Sequence, residues 1–429
     1  MHGPSGAACG SLYEAQAPAA PDWPVLTQRV ETDVLVIGGG LTGLSTALHL
    51  ARQGARTIVL EAYGPGWGAS GRNGGQVNPG LKPPPDTVEA DFGPEHGPRL
   101  VQLAWQEGPD LVFELIERYG IACDAARGGT LRAATATGQL AALRTLEQQC
   151  QIRDWPVQWL DSAAVAARTG HSHYCGGLLD KRGGQVNPLA YTQGVAQAAV
   201  QEGASLFCYS PVLSLKRAGG RWLAQTRTGC VVAERVVLAT NGYTDTLHSA
   251  LRRSIVPVYS GIVASEPLPA PLRRAILHER ESLYELGQIT TYYRVDGTGR
   301  LLMGGRSFSH PAQGAVAFPY LVARAQKLWP ALRTIGWTQG WNGQLAVTLD
   351  HYPHWHEPEP GLLAALGYNG RGVAMATLAG RELAAYLVQG GAPLFPLSPV
   401  RPIALHGFWR AGVAARILLG RVQDRLGLS

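Results

Sequence analysis

The chain has 429 residues, of which 45% are hydrophobic and 16% are charged, and its formal net charge is +6 at pH 7. This composition is typical of a globular protein with two or three domains and excludes a disordered chain. Residues 401–429 carry five arginines against one acid, and the rest is nearly neutral without a basic stripe, so we expect no nucleic-acid partner.

Residues 1–30 are rich in alanine and proline and predict an irregular N-terminal arm. Its first ten residues lack the charged and apolar segments of a secretory signal. The six cysteines form no CxxC pair and suggest neither a zinc site nor a disulfide framework. We therefore expect reduced thiols in a cytoplasmic protein without a metal.

A βαβ unit follows the arm. Asp33–Ile37 is an apolar run that predicts a buried parallel strand, and apolar residues recur at helical spacing over Leu41–Ala51. A second apolar run, Thr57–Leu60, ends at Glu61. The turn between strand and helix carries GxGxxG at Gly38, Gly40 and Gly43.

The order of these elements predicts a dinucleotide site. The glycines permit a tight turn and close approach to a pyrophosphate, and the helix N-terminus directs free N–H groups at the phosphates. Glu61 can accept hydrogen bonds from both hydroxyls of an adenosine ribose, while its charge would repel a 2′-phosphate.

A glycine-dense loop, Trp67–Gln76, comes next. So many small residues favour backbone packed against a large flat group. A flexible surface loop is the alternative, although Trp67, Arg72 and Asn73 are poor linker residues.

The remaining chain alternates between the two periodicities. We predict a mostly helical region over 97–152, and strands separated by turns over 255–310. We also predict helices at Pro188–Glu202 and Val373–Val388, strands at Ser205–Phe207, Val212–Leu215 and Arg235–Ala239, and a glycine-rich loop at Gly367–Gly372. The hexapeptide GGQVNP occurs at 74–79 and again at 183–188, but the flanking sequences do not match.

Four stretches together resemble the D-amino-acid-oxidase-like superfamily of FAD-dependent oxidoreductases. They read VIGGGLTGLSTALHLARQG…VLE, GASGRNGGQ, VVLATNGYT and GYNGRGVAMATLAGRELA. WNGQLAVTLDHYP and YYRVDGTGRLLMGG add to the resemblance, which extends from about 31 to 390. The chain looks most similar to the gamma-glutamylputrescine-oxidase-like members.

The resemblance implies an α/β fold, in which a Rossmann-like FAD-binding domain is interleaved with an α+β substrate domain built on an antiparallel sheet. The FAD-binding domain would take 31–95, 155–250 and 340–390. The substrate domain would take 96–154 and 251–339, and 391–429 would form a basic helical tail.

The resemblance also assigns cofactor contacts. Gly38, Gly40 and Gly43 would hold the pyrophosphate of FAD, and Glu61 the ribose. The flavin would be lined by Ser70, Gly71, Arg72, Asn73 and Gly75. Val212 would meet the adenine through its backbone, Thr240 and Asn241 would close the strand facing the phosphates, and Gly370, Arg371 and Gly372 would lie at the pyrimidine edge of the flavin.

The chain departs from some relatives at two linkage positions. Relatives that bind FAD covalently use a cysteine in the C-terminal third or a histidine in the glycine loop, whereas here no cysteine follows Cys230 and the loop carries Arg72. We therefore expect non-covalent FAD. Some oxidases also place a lysine over the flavin, but the strand Arg300–Gly304 has none, which puts fast reaction with oxygen in doubt.

Substrate residues are sought among groups that orient an amine, because the flavin itself carries the hydride transfer. The candidates are Tyr259, Tyr292, Tyr293, Arg294 and Trp341. Arg294 could pair with a substrate carboxylate, and the aromatic rings could form the walls of the pocket. Core packing for the aromatics and a solvated strand edge for Arg294 remain the alternatives.

Three functions stay open at this point: an oxidase converting an amine or amino acid to an imine, a dehydrogenase passing electrons to a quinone or carrier at a membrane surface, and a non-catalytic flavin-binding protein. The sequence leaves the identity of the substrate and the oligomeric state undetermined.

Two further segments have competing interpretations. His351, His354 and His356 have spacings that can bind zinc, but a proline-rich surface loop is favoured. The stretch from Phe408 to Leu428 predicts a basic amphipathic helix with Phe408, Ala411, Ala415, Leu418, Leu419, Val422 and Leu426 on its apolar side. That side either packs on the protein body, which we favour, or lies on anionic lipid.

Overall fold

A computed structural model of the chain describes residues 10–287, 290–307 and 310–425. Cys9 and the last residues of the predicted C-terminal helix, from Leu426, lie outside these ranges. The strands are β1 (Arg29–Ile37), β2 (Thr57–Leu60), β3 (Gln76–Val77), β4 (Thr130–Ala134), β5 (Val157–Asp161), β6 (Gly176–Asp180), β7 (Gly184–Gln185), β8 (Ser205–Phe207), β9 (Ser214–Ala218), β10 (Arg221–Gln225), β11 (Cys230–Leu238), β12 (Val256–Pro267), β13 (Ser282–Glu285), β14 (Tyr292–Val295), β15 (Arg300–Arg306), β16 (Trp337–Val347), β17 (His354–Glu359) and β18 (Leu362–Leu366).

The α-helices are α1 (Leu12–Gln16), α2 (Leu41–Arg52), α3 (Pro85–Gln102), α4 (Gly108–Arg118), α5 (Leu140–Ile152), α6 (Ser162–Thr169), α7 (Pro188–Gln201), α8 (Ser249–Arg253), α9 (Ala270–Ala275), α10 (Pro319–Leu328), α11 (Gly372–Gln389) and α12 (Trp409–Arg425). The predicted helical region 97–152 is interrupted by β4, whose five residues are all buried. Within the described ranges, no helix is both long enough and apolar enough to cross a membrane.

The first sheet contains the βαβ unit. Its strands run in the order β17-β18-β11-β1-β2-β8, and β10 and β9 extend it from β11. β1 is parallel to β2 and β11, with Val36 opposite both Val59 and Val237. These central strands are apolar on both faces because helices cover one side and a second apolar cluster covers the other.

α2, α7 and α11 pack together on this sheet. α11 approaches α2 closely at Gly380, where a Cβ would collide with Ser45. The Ser45 hydroxyl donates to the Thr377 carbonyl at 2.7 Å across the same crossing. The close contact fixes the start of α11, and therefore the preceding glycine-rich loop, relative to the start of α2.

The second sheet has the order β16-β12-β15-β14-β13-β4-β6-β5 and is antiparallel except for the β13–β4 pair. The strand pairing of this sheet does not follow the domain boundaries predicted at 155 and 340. β5 and β6 lie after 155 but belong to the second sheet, because β6 pairs with β4. β16 extends past 340 while paired with β12, so the chain returns to the first sheet only after these strands.

The two GGQVNP segments meet in space. Gln76 and Val77 of β3 pair with Gln185 and Gly184 of β7 in a two-stranded antiparallel ribbon. The two copies of the hexapeptide therefore form the two strands of one ribbon.

The N-terminal arm is not wholly irregular. Ser11 and Glu14 form a capping box that starts α1. Tyr13 is fully buried and packs edge-on against Trp341 with ring centroids 4.9 Å apart. The arm is thus anchored in the interior, next to the second sheet.

Candidate functional site

The glycine turn before α2 has the shape required by a dinucleotide fold. Gly38 has φ +113°, and a Cβ there would lie 2.9 Å from the Ala239 carbonyl oxygen. A Cβ on Gly43 would collide with the carbonyl oxygen of Gly38. Gly40 is the N-cap of α2 and supplies no side-chain cap of its own, so the backbone of the helix N-terminus can be approached closely by a phosphate.

Glu61 follows β2 directly and holds the same turn. Its carboxylate accepts hydrogen bonds from the Gly39 amide at 2.6 Å and the Tyr63 amide at 2.9 Å. Burial raises the pKa of Glu61, and the backbone donors partly offset this rise. The Ser210 amide donates to the Glu61 carbonyl, which brings Val212, two residues further on, into this region.

The glycine-dense loop is ordered by its own side chains. The Ser70 hydroxyl accepts a hydrogen bond from the Leu41 amide of α2 at 2.9 Å. Asn73 donates to the carbonyls of Ala69 and Ser70 and accepts from the Gly75 amide. Gly71 is buried, and its amide donates to the Gly66 carbonyl. These bonds are inconsistent with a flexible linker.

Arg72 projects from this loop onto an aromatic ring. Its guanidinium carbon lies 4.5 Å from the centre of the Trp67 ring, and its Nε donates to the Trp67 carbonyl at 2.7 Å. The Trp341 indole donates to the Arg72 carbonyl at 3.1 Å. Trp341 therefore helps to position the glycine-dense loop through this hydrogen bond.

The second glycine-rich loop meets the end of β11. Asn241, which has φ +44°, accepts a hydrogen bond from the Gly367 amide at 3.0 Å. The neighbouring Thr240 hydroxyl bonds to Thr244 at 2.6 Å. Gly370–Gly372 then lead into α11. The glycine-dense loop and this second glycine-rich loop consequently lie at the carboxyl edge of the parallel strands, where this class of sheet binds ligands.

One cavity of about 690 Å³ connects the two loops with the second sheet. The predicted cofactor residues that line it are Gly40, Ser70, Arg72, Asn73, Asn241, Gly370, Arg371 and Gly372. The other predicted cofactor residues do not line it: Gly38, Gly43, Glu61, Gly71, Gly75, Val212 and Thr240. Of these, Gly38, Gly43 and Glu61 lie at the turn before α2 and support the lining residue Gly40.

The residues present fit FAD. A Cβ on Gly40 would come within 2.9 Å of the Ser70 hydroxyl and fill the space in front of α2. The N-terminus of α2, Ser70 and the Glu61 carboxylate together match a pyrophosphate followed by a ribose. No cysteine is found among the described lining residues, and non-covalent attachment stays a prediction.

Arg294 does not line the cavity, contrary to the expected role at a substrate carboxylate. It is 2% exposed. Its guanidinium donates to the Gly74 carbonyl at 2.8 Å, the Gln185 side chain at 2.7 Å and the Tyr13 hydroxyl at 3.3 Å. The glycine-dense loop and β7 cover this face of β14. Arg294 therefore ties the glycine-dense loop to the β3–β7 ribbon and to the N-terminal arm.

Three of the other four candidate substrate residues are also outside the cavity lining. Tyr293 points to the opposite face of β14 and packs against Trp329 in the apolar cluster on that face of the second sheet. Trp341 is fully buried. Tyr259 donates to the Gln344 side chain at 2.6 Å. Tyr292 does reach the cavity, where its hydroxyl lies 2.9 Å from the Ser260 hydroxyl.

The sequence pattern did not single out several lining residues, among them Lys82, Arg132, Tyr284 and Arg306. Lys82, Arg132 and Arg306 join Arg72 and Arg371, so that five cationic side chains line the cavity. Among the described lining residues Glu285 is the only acid, and it is already paired with Arg324 at 2.6 Å. Arg132 could have been noticed as a charge inside the apolar strand Thr130–Ala134, whereas nothing marked Tyr284 in the sequence.

Lys82 restores a lysine to the site. The strand Arg300–Gly304 has none, as expected, but the loop after β3 brings Lys82 to the cavity with its Nζ 3.5 Å from His351 Nε2. Partial removal from water and the charges of Arg306 and Arg371 lower the pKa of Lys82 to about 8. The lack of a strand lysine is therefore a weaker argument against oxygen chemistry than the sequence suggested.

The three histidines do not converge. His354 pairs with Asp350 at 2.9 Å, and the buried His356 bonds to the Ser398 carbonyl at 2.7 Å. His354 and His356 belong to β17, which pairs with β18, so this part of the stretch is a strand and not a surface loop.

Comparisons with known proteins agree with this geometry. Residues 33–386 match the family described as FAD dependent oxidoreductase (DAO). The chain is 34% identical to probable oxidoreductase OrdL of Haemophilus influenzae over 368 residues, 84% of each chain. It is 32% identical to gamma-glutamylputrescine oxidoreductase of Escherichia coli over 392 residues, 90% of each chain. Glycine oxidase from Geobacillus kaustophilus superposes with a TM-score of 0.72 at 25% identity, covering 87% of this chain and all of that one.

Proposed function

Because the chain belongs to the DAO family of FAD-dependent oxidoreductases, we propose that it oxidises the C–N bond of an amine or amino acid to an imine. Water then hydrolyses the imine. FAD supplies the hydride acceptor, and the protein has to bind the amine, orient it and exclude water. Relatives named gamma-glutamylputrescine oxidoreductase and glycine oxidase act on substrates of this kind.

The observation that carries the proposal is the continuity of the cavity. One end is lined by Gly40 and Ser70 in front of α2, and the other by Tyr284 and Tyr292 of the second sheet. A flavin held by the two glycine-rich loops would therefore face a pocket with aromatic walls. Such a pocket suits an amine whose carbon must approach the ring in a water-poor site.

The charge of the pocket favours an amine that also carries a carboxylate. Lys82, Arg306 and Arg371 lie around it, and the carboxylate of Glu285 is engaged by Arg324. Burial lowers the pKa of Arg306, and among the described residues this partly buried cation has no ion pair with an acid. An anionic group on the substrate would offset this cost.

The test is an anaerobic screen of amines and amino acids that follows the loss of flavin absorbance. We expect bleaching by a carboxylate-bearing amine, and slower bleaching by its decarboxylated analogue. Acid precipitation of the same preparation should leave the yellow colour in the supernatant. Failure of every amine and amino acid to bleach the flavin would refute the proposed function.

A dehydrogenase that delivers electrons at a membrane surface is the second candidate, and α12 favours it. The residues facing the protein body are Trp409, Val413, Ile417 and Gly420. The predicted apolar side faces outward instead, with Phe408 71%, Leu418 66% and Leu419 52% exposed. The favoured packing of that side on the body is therefore not what the structure has, and Arg410 and Arg416 accompany the exposed apolar groups.

Flotation with anionic vesicles separates the two candidates. Each basic residue near such a surface contributes about 1 kcal/mol, so binding should occur at low salt and weaken as salt rises. Replacing Phe408, Leu418 and Leu419 by serine should abolish it, while Val316→Ser, which removes a still more exposed apolar side chain elsewhere, should not. Oxygen consumption with no vesicle binding by the full chain would leave the oxidase as the function.

A further inference from the structure

Tyr284 occupies an unusual place in the cavity. It lies on β13, and its hydroxyl accepts a hydrogen bond from Arg371 Nη2 at 2.9 Å. The parallel register of β13 and β4 puts Arg132 directly beside it. Arg371 begins α11 at the second glycine-rich loop, so a single guanidinium connects the Tyr284 hydroxyl to the loop expected at the flavin.

The two arginines are not neutralised by acids of their own. Arg132 is 4% exposed, and its Nε has no hydrogen-bond partner among the described residues. The closest acid to Arg132 is Asp180 on β6, at 4.0 Å, but both oxygens of Asp180 are held by Arg182 at 2.9 and 2.7 Å. Arg371 donates its other nitrogen to the Pro79 carbonyl at 2.9 Å. The pair therefore presents excess positive charge to the Tyr284 oxygen.

The charged groups facing Tyr284 decide its ionisation. Burial opposes the phenolate, and the carboxylate of Asp180 opposes it weakly. Arg132 and Arg371 outweigh both, and the pKa of Tyr284 falls below the usual tyrosine range. By contrast, burial raises the pKa of Tyr292, the other lining tyrosine, above that range. The pKa values of the two tyrosines are thus shifted in opposite directions although both side chains line one cavity.

We propose that Tyr284 is the catalytic base that takes the proton from the ammonium group of the bound substrate. Alkyl amines, like lysine, are protonated near neutral pH, and their nitrogen lone pair is then blocked. The N–H bond breaks with its electron pair left on nitrogen, and an O–H bond forms on the Tyr284 phenolate. The freed lone pair is what conversion of the C–N bond to an imine requires. This inference rests on the proposed amine oxidation.

The pH dependence of anaerobic flavin bleaching tests the proposal with two substrates whose amines differ in pKa. In the wild type, the rate should rise with pH along one limb that is the same for both substrates, because the limb belongs to Tyr284. In Tyr284→Phe, the rate at pH 7 should fall by about 10²–10⁴-fold, the usual effect of losing a general base. The remaining limb should follow the pKa of each free amine.

Two further variants control for indirect effects. Tyr292→Phe removes the other lining tyrosine and should keep the wild-type limb. Arg371→Gln removes one of the two charges and should move the limb to higher pH. A wild-type limb that follows each substrate's amine, or an unchanged limb in Tyr284→Phe, would overturn the role of Tyr284 and leave amine oxidation standing.

A measurement that requires no turnover distinguishes failure of the Tyr284 inference from failure of the proposed amine oxidation. In holoenzyme labelled with ¹³Cζ-tyrosine, one resonance should ionise at lower pH than the others, disappear in Tyr284→Phe and shift to higher pH in Arg371→Gln. If the Tyr284 resonance ionises with the ordinary tyrosines, the inference fails even when no amine reduces the flavin. If it ionises early but no amine is oxidised, the proposed function fails, and the proposed proton transfer with it.

Discussion

Glu61→Gln is expected to weaken FAD binding about ten- to a hundredfold, and Glu61→Arg to nearly abolish it. The carboxylate sits beside Gly39 at the end of β2, with its two oxygens accepting from the Gly39 and Tyr63 amides. Remaining lone pairs are available to ribose hydroxyls. One charge-assisted hydrogen bond is worth about 1.5–3 kcal/mol, which corresponds to the expected loss.

The two substitutions act differently. Glutamine keeps the shape of the side chain, retains one acceptor and removes the charge. Arginine removes both acceptors and places a larger, cationic side chain beside Gly39. The space there is already narrow, because a Cβ on Gly39 would lie 3.0 Å from the Glu61 side chain. The turn that precedes α2 would have to shift, and the open helix end would shift with it.

Fluorescence titration of the apoprotein with FAD measures the effect. Glu31→Gln is the matched control, because Glu31 lies on β1 of the same sheet but is exposed and pairs with Arg221 at the surface. Its affinity should stay at the wild-type value. Equal affinities for wild type and both Glu61 variants would mean that Glu61 does not touch the ribose.

Arg294→Ala is expected to destabilise the protein and to loosen FAD, without changing the preference for a carboxylate on the substrate. The substitution leaves the Gly74 carbonyl, the Gln185 side chain and the Tyr13 hydroxyl without their donor in a buried region. Each buried acceptor left without its donor costs about 1–3 kcal/mol. Because Gly74 belongs to the flavin loop, the loss should reach the cofactor.

Thermal unfolding and kinetics together check this expectation. The melting temperature should fall by several degrees, whereas Arg29→Ala, at an exposed arginine of β1, should leave it unchanged. The Michaelis constants for a carboxylate-bearing substrate and its decarboxylated analogue should change by the same factor. A selective rise for the carboxylate-bearing substrate at unchanged stability would show that Arg294 binds substrate after all.

The sequence predicted the cofactor half of the site because its signals are local. Strand, GxGxxG turn, helix and terminal acid lie within 33–61, and the structure has β1, α2 and β2 in that order with Glu61 bonded to the turn. The family resemblance and the two-sheet architecture were confirmed in the same way. The turn and its acid depend on neighbours along the chain, whereas the two-sheet architecture was implied by the family resemblance.

The substrate half was decided by tertiary structure. Alternation along β14 predicts that Tyr292 and Tyr293 face opposite sides, but which side meets the cavity depends on where the second sheet packs. Arg294 shares the face of Tyr292 and is nevertheless covered, because the ribbon of β3 and β7 closes over it. Similarly, Arg132, Tyr284 and Arg371 come from three distant segments that meet through the parallel β13–β4 pair and the start of α11. Local spacing carries no information about such contacts. The sequence by itself therefore determined the FAD-binding family and the glycine turn, whereas the packing of distant strands and of α11 decided which side chains line the cavity beside that turn.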